Sequence, residues 1–383
     1  MPMSERYELR VSFRKLLIGL LLTVIPICLA GLYAVHRSER ALESTIGNRF
    51  KTVAEIVASD ISRYVQNSVL DVAAIALEPA VLTAVENSNR SYDGLADAAI
   101  IAKIQKIDRE WATPAAETLA KEMLASPASR LLRRHRELDP RMLRITVTDK
   151  RGATVAATHK TLDYYQADEE YWQNIYAQGR GSVSLTDILY DEATKSHYIG
   201  VGLPLTEEGS NTMIGTIDTL IDVTSLLPMT NRLQMGPTAR ALLVKEDGTV
   251  IAGPQVTLPM KLKSEEWEAV RDALQTLQGR QNGYVTAMLS GGVRHLIGFA
   301  DTGLKEHYPK LGWVVLLAQE EREALAPIRI VSRLVAFVSL LGLVLVTLLA
   351  AYFALHRAEP ITEIGDPLAD QRDLRVRDTG AGD

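Results

Sequence analysis

The sequence is poor in cysteine and has no excess of positive charge. Cys28 is the single cysteine among 383 residues, so the chain can form neither an internal disulfide nor a cysteine-based metal cluster. The 42 lysines and arginines are outnumbered by 47 aspartates and glutamates, which gives a net charge of −5. This balance provides no electrostatic reason to bind nucleic acid. We therefore predict neither a disulfide scaffold nor a nucleic-acid partner.

Motifs of catalytic and metal sites are also missing. The seven histidines show no H-x-x-x-H or H-E-x-x-H spacing, and no glycine-rich phosphate loop follows a predicted strand. Ser12 and Lys15 have the S-x-x-K spacing of some hydrolases, but they flank an apolar segment where no pocket is expected. The prediction is a protein that is not an enzyme, with no catalytic residues, no metal and no cofactor.

Two long apolar runs are present, Leu16–Val35 and Leu334–Leu355, of 20 and 22 residues without a charge. A helix rises about 1.5 Å per residue, so each run can cross the roughly 30 Å core of a bilayer. A cleaved signal peptide is the alternative for the first run, but its apolar core is longer than the usual length of roughly 7–15 residues and no A-x-A site follows it. We predict two transmembrane helices.

The distribution of basic residues predicts the orientation of these helices. Basic residues are concentrated immediately before the first run, at Arg6, Arg10, Arg14 and Lys15. Such residues favour the cytoplasmic side of a membrane, so both termini are predicted inside and residues 36–333 outside the cytoplasm. The predicted location is the inner (cytoplasmic) membrane, with the loop between the spans periplasmic or extracellular.

A long helix is predicted to follow the first apolar run. Apolar residues recur at spacings of three or four between Leu42 and Tyr64, the period of a helix with one buried face. The pattern predicts a helix from Ser38 to Glu78, where Pro79 stops it. Such a helix is either a free coiled-coil stalk or a spine along which two domains stack.

From Leu143 onward the pattern changes to short strands, and it occurs twice. Each copy has a strand, a glycine turn, a second strand, an amphipathic helix and late strands. The matching segments are Val147–Val155 with Val244–Val250, Glu169–Trp172 with Glu265–Trp267, Gly181–Val183 with Gly283–Val285, and Gly215–Ile217 with Gly312–Val314, at offsets of 96, 95, 102 and 97 residues. We predict two tandem β-β-α-β-β-β units.

Two such units after a long helix and between two membrane spans resemble the double Cache (dCache) sensor domains of bacterial receptors, over about residues 37–325. The local match is best at Tyr164–Trp172, Ser184–Asp191 and Ile214–Val223. The resemblance implies an α+β fold with a long N-terminal helix and two tandem PAS-like (Cache) modules, each an antiparallel sheet with flanking helices.

The predicted domains follow in chain order. They are a cytoplasmic N-terminus (1–15), a transmembrane helix (16–35), a helical spine and helical segment (37–140), a membrane-distal module (141–228), a membrane-proximal module (229–325), a second transmembrane helix (334–355) and a short cytoplasmic tail (356–383). Within the tail, Arg357–Ile364 resembles the opening of a HAMP linker, but a second HAMP helix and an output domain are absent. The resemblance therefore implies signalling through a separate cytoplasmic or membrane partner.

The resemblance also implies a ligand site in the distal module. Amino-acid-binding members of the family have a Tyr, four residues, then Arg-x-Trp-Tyr, where the Arg pairs with the ligand carboxylate and a distant Asp with its amine. Here Tyr164 fits the first position, but Glu169 occupies the position of the Arg. The distant aspartate is Asp222 or Asp218.

Aromatic rings and carboxylates together suit a cationic or amine-containing ligand. The same aromatic residues could equally be core residues packed on the sheet. The predicted ligand-binding residues are Tyr164, Glu169, Tyr171, Trp172, Asp187, Tyr190, Tyr198 and Asp222. The matching proximal stretch, Gly283–Leu289, has one tyrosine and no carboxylate, so the site is predicted in the distal module.

The function predicted from these features is a bacterial membrane-anchored sensor, present as a homodimer, that binds a small extracytoplasmic ligand and signals via a partner. The alternative is a structural or adaptor membrane protein in which the Cache modules are scaffolding without a ligand.

Overall fold

The computed structural model describes residues 13–191, 195–207, 209–210, 212–226, 236–253, 262–276 and 281–355. Two compact units are present, one formed by Met1–Arg40 with Pro327–Asp383 and the other by Ala41–Ala326. The predicted cytoplasmic tail with its HAMP-like start, and most of the predicted N-terminus, lie outside the described residues.

The long N-terminal helix is confirmed. Helix α1, Phe13–Ala76, is continuous over 64 residues. It ends two residues before the predicted end, and Pro79 opens the next helix, α2 (Pro79–Arg90). Proline suits the first position of a helix because the N–H that it lacks would have no partner there.

The larger unit contains two antiparallel sheets, which confirms the two-module α+β fold. The helices between α2 and the first sheet are α3 (Asp97–Glu110), α4 (Glu117–Ala125) and α5 (Pro127–Leu138). The distal module then consists of β1 (Met142–Asp149), β2 (Thr154–Ala157), α6 (Glu170–Tyr176), β3 (Ser184–Leu185), β4 (Leu189–Asp191), β5 (Ser196–Thr206) and β6 (Met213–Asp222). Its strand order is β2-β1-β6-β5-β3, and β4 also pairs with β5.

The proximal module repeats this order. It consists of β7 (Arg240–Lys245), β8 (Val250–Ala252), α7 (Glu265–Thr276), β9 (Asn282–Leu289), β10 (Val293–Asp301) and β11 (Trp313–Glu320), with the strand order β8-β7-β11-β10-β9. A short helix, α8 (Glu321–Ala324), follows the last strand and precedes the apolar helix α9 (Ala326–Leu355).

The main core lies between α1 and the two sheets. Ile61 and Val65 of α1 are fully buried in one cluster with Ile145 and Ile217 of the distal sheet and Val315 of the proximal sheet. The helix is therefore a spine that both modules pack against, and the free-stalk alternative is wrong.

The spine comes closest to the proximal sheet at Gly298 of β10. A Cβ atom there would lie 2.6 Å from the backbone carbonyl carbon of Phe50, and a real Cβ contact is never that short. A glycine is needed at this position because the obstacle is helix backbone, which cannot rotate away as a side chain can.

In the smaller unit, the apolar part of α1 lies against α9. A Cβ atom at Gly31 would be 3.6 Å from Cγ1 of Val335, and the Cys28 sulfur lies 3.9 Å from the carbonyl oxygen of Ser339. Among the described residues, the helix over Leu21–Ala76 is long and apolar enough to cross a membrane, and Arg333–Leu349 is a shorter apolar stretch.

Candidate ligand-binding site

The side chains of β1 alternate between the two faces of the distal sheet. Ile145 and Val147 belong to the core shared with α1. Neighbouring residues of a strand point to opposite faces, so Arg144, Thr146 and Thr148 face the other way. The indole Nε1 of Trp172 in α6 donates to Thr148 Oγ1 at 2.9 Å, which identifies this second face as the one that α6 covers.

Asp218 of β6 lies on the same face. It is paired in register with Thr146 of β1 on one side and with Gly202 of β5 on the other. Two residues before it, Thr216 shares a 2.8 Å hydrogen bond with the hydroxyl of Thr148. Directly paired residues of an antiparallel sheet project to one face, so the Asp218 carboxylate lies beneath α6.

The Asp218 carboxylate is buried. The residue is 5% exposed. Its side chain makes no hydrogen bond or ion pair with any residue that the structure describes. Burial raises the pKa of Asp218 to about 7, and the positive charge of Arg144 opposes this rise. An unpartnered carboxylate in the interior is costly, so this position is a strong candidate for contact with a ligand.

Arg144 is close enough to act on the same group of side chains. Its Nε atom is buried without a hydrogen-bond partner, and no ion pair links its guanidinium to a described carboxylate. Burial raises the pKa of both Tyr171 and Tyr198, and the charge of Arg144 opposes the rise in each case. Arg144, Tyr171, Tyr198 and Asp218 therefore form one group, which we call the distal polar cluster.

Two tyrosines of the prediction belong to this cluster. The Tyr171 hydroxyl donates to Oε1 of Gln166 at 2.5 Å, which orients its ring at the start of α6. Tyr198 of β5 is half-buried, and its hydroxyl has no hydrogen-bond partner among the described residues. Two rings beside a carboxylate suit a cationic group.

Two other predicted aromatic residues are in packing positions. Trp172 is 5% exposed, and its ring stacks on Tyr176 with centroids 4.6 Å apart. Tyr164 packs against Trp111 at 5.1 Å, away from β6. Glu169 is exposed at the N-terminus of α6, and the charge of Arg144 opposes the rise that burial causes in its pKa, so this predicted residue lies at the exposed edge of the distal polar cluster.

The remaining predicted residues lie outside the cluster. Asp187 forms an ion pair with Lys245 and accepts a 3.1 Å hydrogen bond from the indole of Trp313, so it joins the distal to the proximal module. Asp222 is paired with Tyr198 and lies on the same face, but its carboxylate accepts a 2.7 Å hydrogen bond from the Thr224 backbone and caps a turn. Tyr190 is paired with His197, so it lies on the opposite face of the sheet from Tyr198.

The prediction from sequence left Asp218 open as an alternative and did not include Arg144. Strand alternation could have found both, because Arg144, Thr146 and Thr148 are polar positions that alternate with the apolar Leu143, Ile145 and Val147. What was missing was the pairing of β1 with β6, which brings Arg144 and Asp218 to the same face.

A groove of about 720 Å³ lies elsewhere, between α2 and the turn that joins β5 to β6. Its charged residues are Glu86 and Glu207. Glu86 pairs with Arg90 at 3.6 Å, and Glu207 accepts a 2.9 Å hydrogen bond from Ser210. Both carboxylates are exposed or already partnered, so the groove is a weaker candidate than the distal polar cluster.

Two PAS-like modules on a long helix are the architecture of a double Cache domain. The dCache_1 family model, described as a Cache domain, matches residues 38–328. The chain belongs to the dCache family. No curated protein matches it.

Solved structures with a similar fold are sensor domains. The sensory domain of the Campylobacter jejuni chemoreceptor Tlp3 with isoleucine bound is 10% identical, with a TM-score of 0.50 over 75% of this chain and 97% of that chain. The ligand-binding domain of the Pseudomonas aeruginosa amino-acid chemoreceptor PctC in complex with GABA is 15% identical, with a TM-score of 0.45 over 72% and 99% of the two chains. The extracellular domain of the putative histidine kinase rpHK1S-Z16 is 13% identical, with a TM-score of 0.45 over 73% and 95%.

Proposed function

We propose that this protein is a membrane-anchored sensor whose distal module binds a small ligand with a basic nitrogen, and that it signals through a separate partner. The observation that carries the proposal is the Asp218 carboxylate, which is buried beneath α6 without a hydrogen bond or ion pair to any described residue.

A cationic group would resolve the energetic cost of this carboxylate. An ammonium group next to Asp218 would supply the missing charge partner and favour the ionised form of the acid. The rings of Tyr171 and Tyr198 would contact the same cation through their faces. Asp218, in place of Asp222, is the residue that we propose for the amine, and Tyr164 and Trp172 would support the site from behind.

The membrane arrangement proposed is the one that the basic residues predict, with both apolar helices as spans and residues 36–333 outside the cytoplasm. It is supported by the packing of Gly31 against Val335 in the smaller unit. Reporter fusions at Asp247 and at Asp383 should respond from opposite compartments. If both fusions report the same compartment, one of the two helices does not cross the membrane.

Ligand binding can be tested by the melting temperature of the full-length protein in detergent. Agmatine, cadaverine, L-arginine and L-isoleucine are the probes. A ligand at a hundredfold excess over its Kd adds about 2.7 kcal/mol to stability, so binding should raise the melting temperature by several degrees.

The variant Asp218→Asn should lose this rise, whereas Asp222→Asn, the matched control on the same strand, should keep it. If none of the four compounds raises the melting temperature of the wild-type protein, the proposal fails and the scaffolding alternative is favoured. A rise that survives in Asp218→Asn would locate the site elsewhere.

A further inference from the structure

Positively charged side chains collect beside the second strand of the distal module. Helix α5 packs against β2, where the Ser129 hydroxyl accepts a 3.1 Å hydrogen bond from the backbone N–H of Ala157. Arg133 and Arg136 are three residues apart on α5, so they project from one face of the helix. His159 follows the end of β2 by two residues. We call Arg133, Arg136 and His159 the α5 basic cluster.

Hydrogen bonds hold the His159 ring in one neutral form. The Nη1 atom of Arg136 lies 2.7 Å from Nε2 of His159. A guanidinium can only donate, so this Nε2 atom accepts the hydrogen bond and carries no proton. The Nδ1 atom, 3.0 Å from Oγ1 of Thr158, is then assigned the proton of the neutral ring. A second proton on the ring would place two cations in direct contact.

The cluster has no counter-ion within the part of the chain that the structure describes. Arg133 donates a 2.8 Å hydrogen bond to the carbonyl oxygen of Leu124, but neither it nor Arg136 forms an ion pair with a described carboxylate. Burial of the ring is the largest cause that lowers the pKa of His159, and every charge that acts on this pKa is positive. Those charges belong to Arg136, Arg144 and Arg133. A bound anion would remove the repulsion among them.

From this arrangement we infer that the α5 basic cluster binds a doubly charged oxyanion, a sulfate or phosphate group, at a site separate from the amine site at Asp218. The cluster is accessible, because His159 is exposed and both arginines are only half-buried. Each guanidinium donates to oxygens of the anion. Protonated His159 donates to a further oxygen from Nε2 and no longer accepts from Arg136. Binding of the anion is therefore coupled to the uptake of one proton.

Sulfate is the probe, because it keeps two negative charges over the pH range of the test. Its Kd is measured by titration calorimetry on the full-length protein in detergent, at pH 6 and pH 7 and at constant ionic strength. The uptake of one proton should weaken binding by up to about tenfold between these pH values. Glycerol 3-phosphate is measured at pH 6. Tighter binding than that of sulfate indicates the phosphate group of an organic ligand, and equal binding indicates a free ion.

Three variants assign the binding to the cluster. Arg136→Gln should weaken sulfate binding at pH 6 by about tenfold or more, because charge-assisted hydrogen bonds are lost. Arg134→Gln, at an exposed position of the same helix, is the matched control and should change the Kd by less than about threefold. His159→Gln keeps an N–H donor but cannot titrate, so its Kd should be the same at both pH values. The melting temperature without sulfate establishes that each variant is folded.

The inference fails if the wild-type protein does not bind sulfate at pH 6, or if Arg136→Gln and Arg134→Gln weaken binding equally. It also fails if the pH dependence persists in His159→Gln, because the proton would then be taken up by another group. None of these outcomes bears on the amine site, which is tested with other probes and with Asp218→Asn.

Discussion

The distal and proximal modules share a strand order but fill the space beneath their helices differently. In the distal sheet, one row of residues paired across neighbouring strands consists of Thr146, Asp218 and Gly202. The equivalent row of the proximal sheet consists of Leu242, Leu316 and Phe299. The proximal row is buried in an apolar cluster with Trp267 of α7. The same fold thus holds a polar, incompletely paired interior in one copy and an ordinary hydrophobic core in the other.

The adjacent row also differs between the modules. Gly200 of β5 is equivalent to Ile297 of β10, because Gly200 is paired with Leu220, the residue opposite Arg144, and Ile297 is paired with Ala318, the residue opposite Arg240. A Cβ atom at Gly200 would lie 3.1 Å from Cγ2 of Thr186 and 3.7 Å from Oδ1 of Asp218, so the distal module has the Thr186 side chain and a carboxylate where the proximal module has an isoleucine. The comparison shows that a few inward-facing positions, not the topology, distinguish a candidate site from a packed core.

The largest effect is expected from Asp218→Asn, which makes the distal row uncharged like its proximal counterpart. Because the folded-state pKa, about 7, is above the unfolded value of 3.8, the folded protein holds a proton between these pH values that the unfolded chain has released. Asp218 therefore lowers stability as pH rises through this window, by up to about 4 kcal/mol once it is fully ionised.

Urea denaturation of the ligand-free protein at pH 5 and pH 8 measures this effect. Asp218→Asn should be more stable than wild type, and its advantage should grow by about 3 kcal/mol between the two pH values. Asp222→Asn, at the half-buried end of the same strand, is measured at both pH values as the control. An advantage independent of pH would mean that Asp218 is not buried in its ionised form.

Arg144 of β1 and Arg240 of β7 occupy equivalent positions in the two sheets, and substitution by glutamine should change the free energy of unfolding differently at each. Arg240→Gln leaves Glu266 buried without its charge partner and should cost about 2–3 kcal/mol in the free energy of unfolding. Arg144→Gln removes a cation that forms no ion pair with a described residue, so it should change the free energy of unfolding by less than about 0.5 kcal/mol, or increase it. Denaturation of both variants at pH 7 without ligand compares them directly. Equal losses would show that Arg144 has a structural partner after all.

The smallest effect is expected at the junction of the modules. Asp187→Ala removes the ion pair with Lys245 and the hydrogen bond from Trp313, and it should cost about 1 kcal/mol. Glu170→Ala is the matched control, because its 2.9 Å pair with Lys310 involves a side chain that is 82% exposed. Such exposed pairs contribute little, so denaturation should show a smaller loss of stability for Glu170→Ala than for Asp187→Ala. A larger loss in the control would reverse this ranking.

Much of the fold could be predicted because its signals are local. The spacing of apolar residues after Leu42 predicts α1, and the repeated glycine turns at Gly152 and Gly248 predict two equivalent modules. The positions of the predicted site residues depend on contacts that are not local. Tyr171 and Tyr198 belong to the distal polar cluster. Asp187 instead contacts Trp313 of the proximal module, and Tyr190 lies on the opposite face of the distal sheet.

The sequence by itself therefore determined the two apolar runs, the long helix and the tandem repeat, since each depends on the order of residues along one segment. Only the tertiary structure decided that Arg144 and Asp218 lie on the same face of the sheet beneath α6, whereas Arg240 forms an ion pair with Glu266. Those contacts depend on strand pairing between segments about 70 residues apart, on register, and on which face each helix covers, and a one-residue change of register would reverse them.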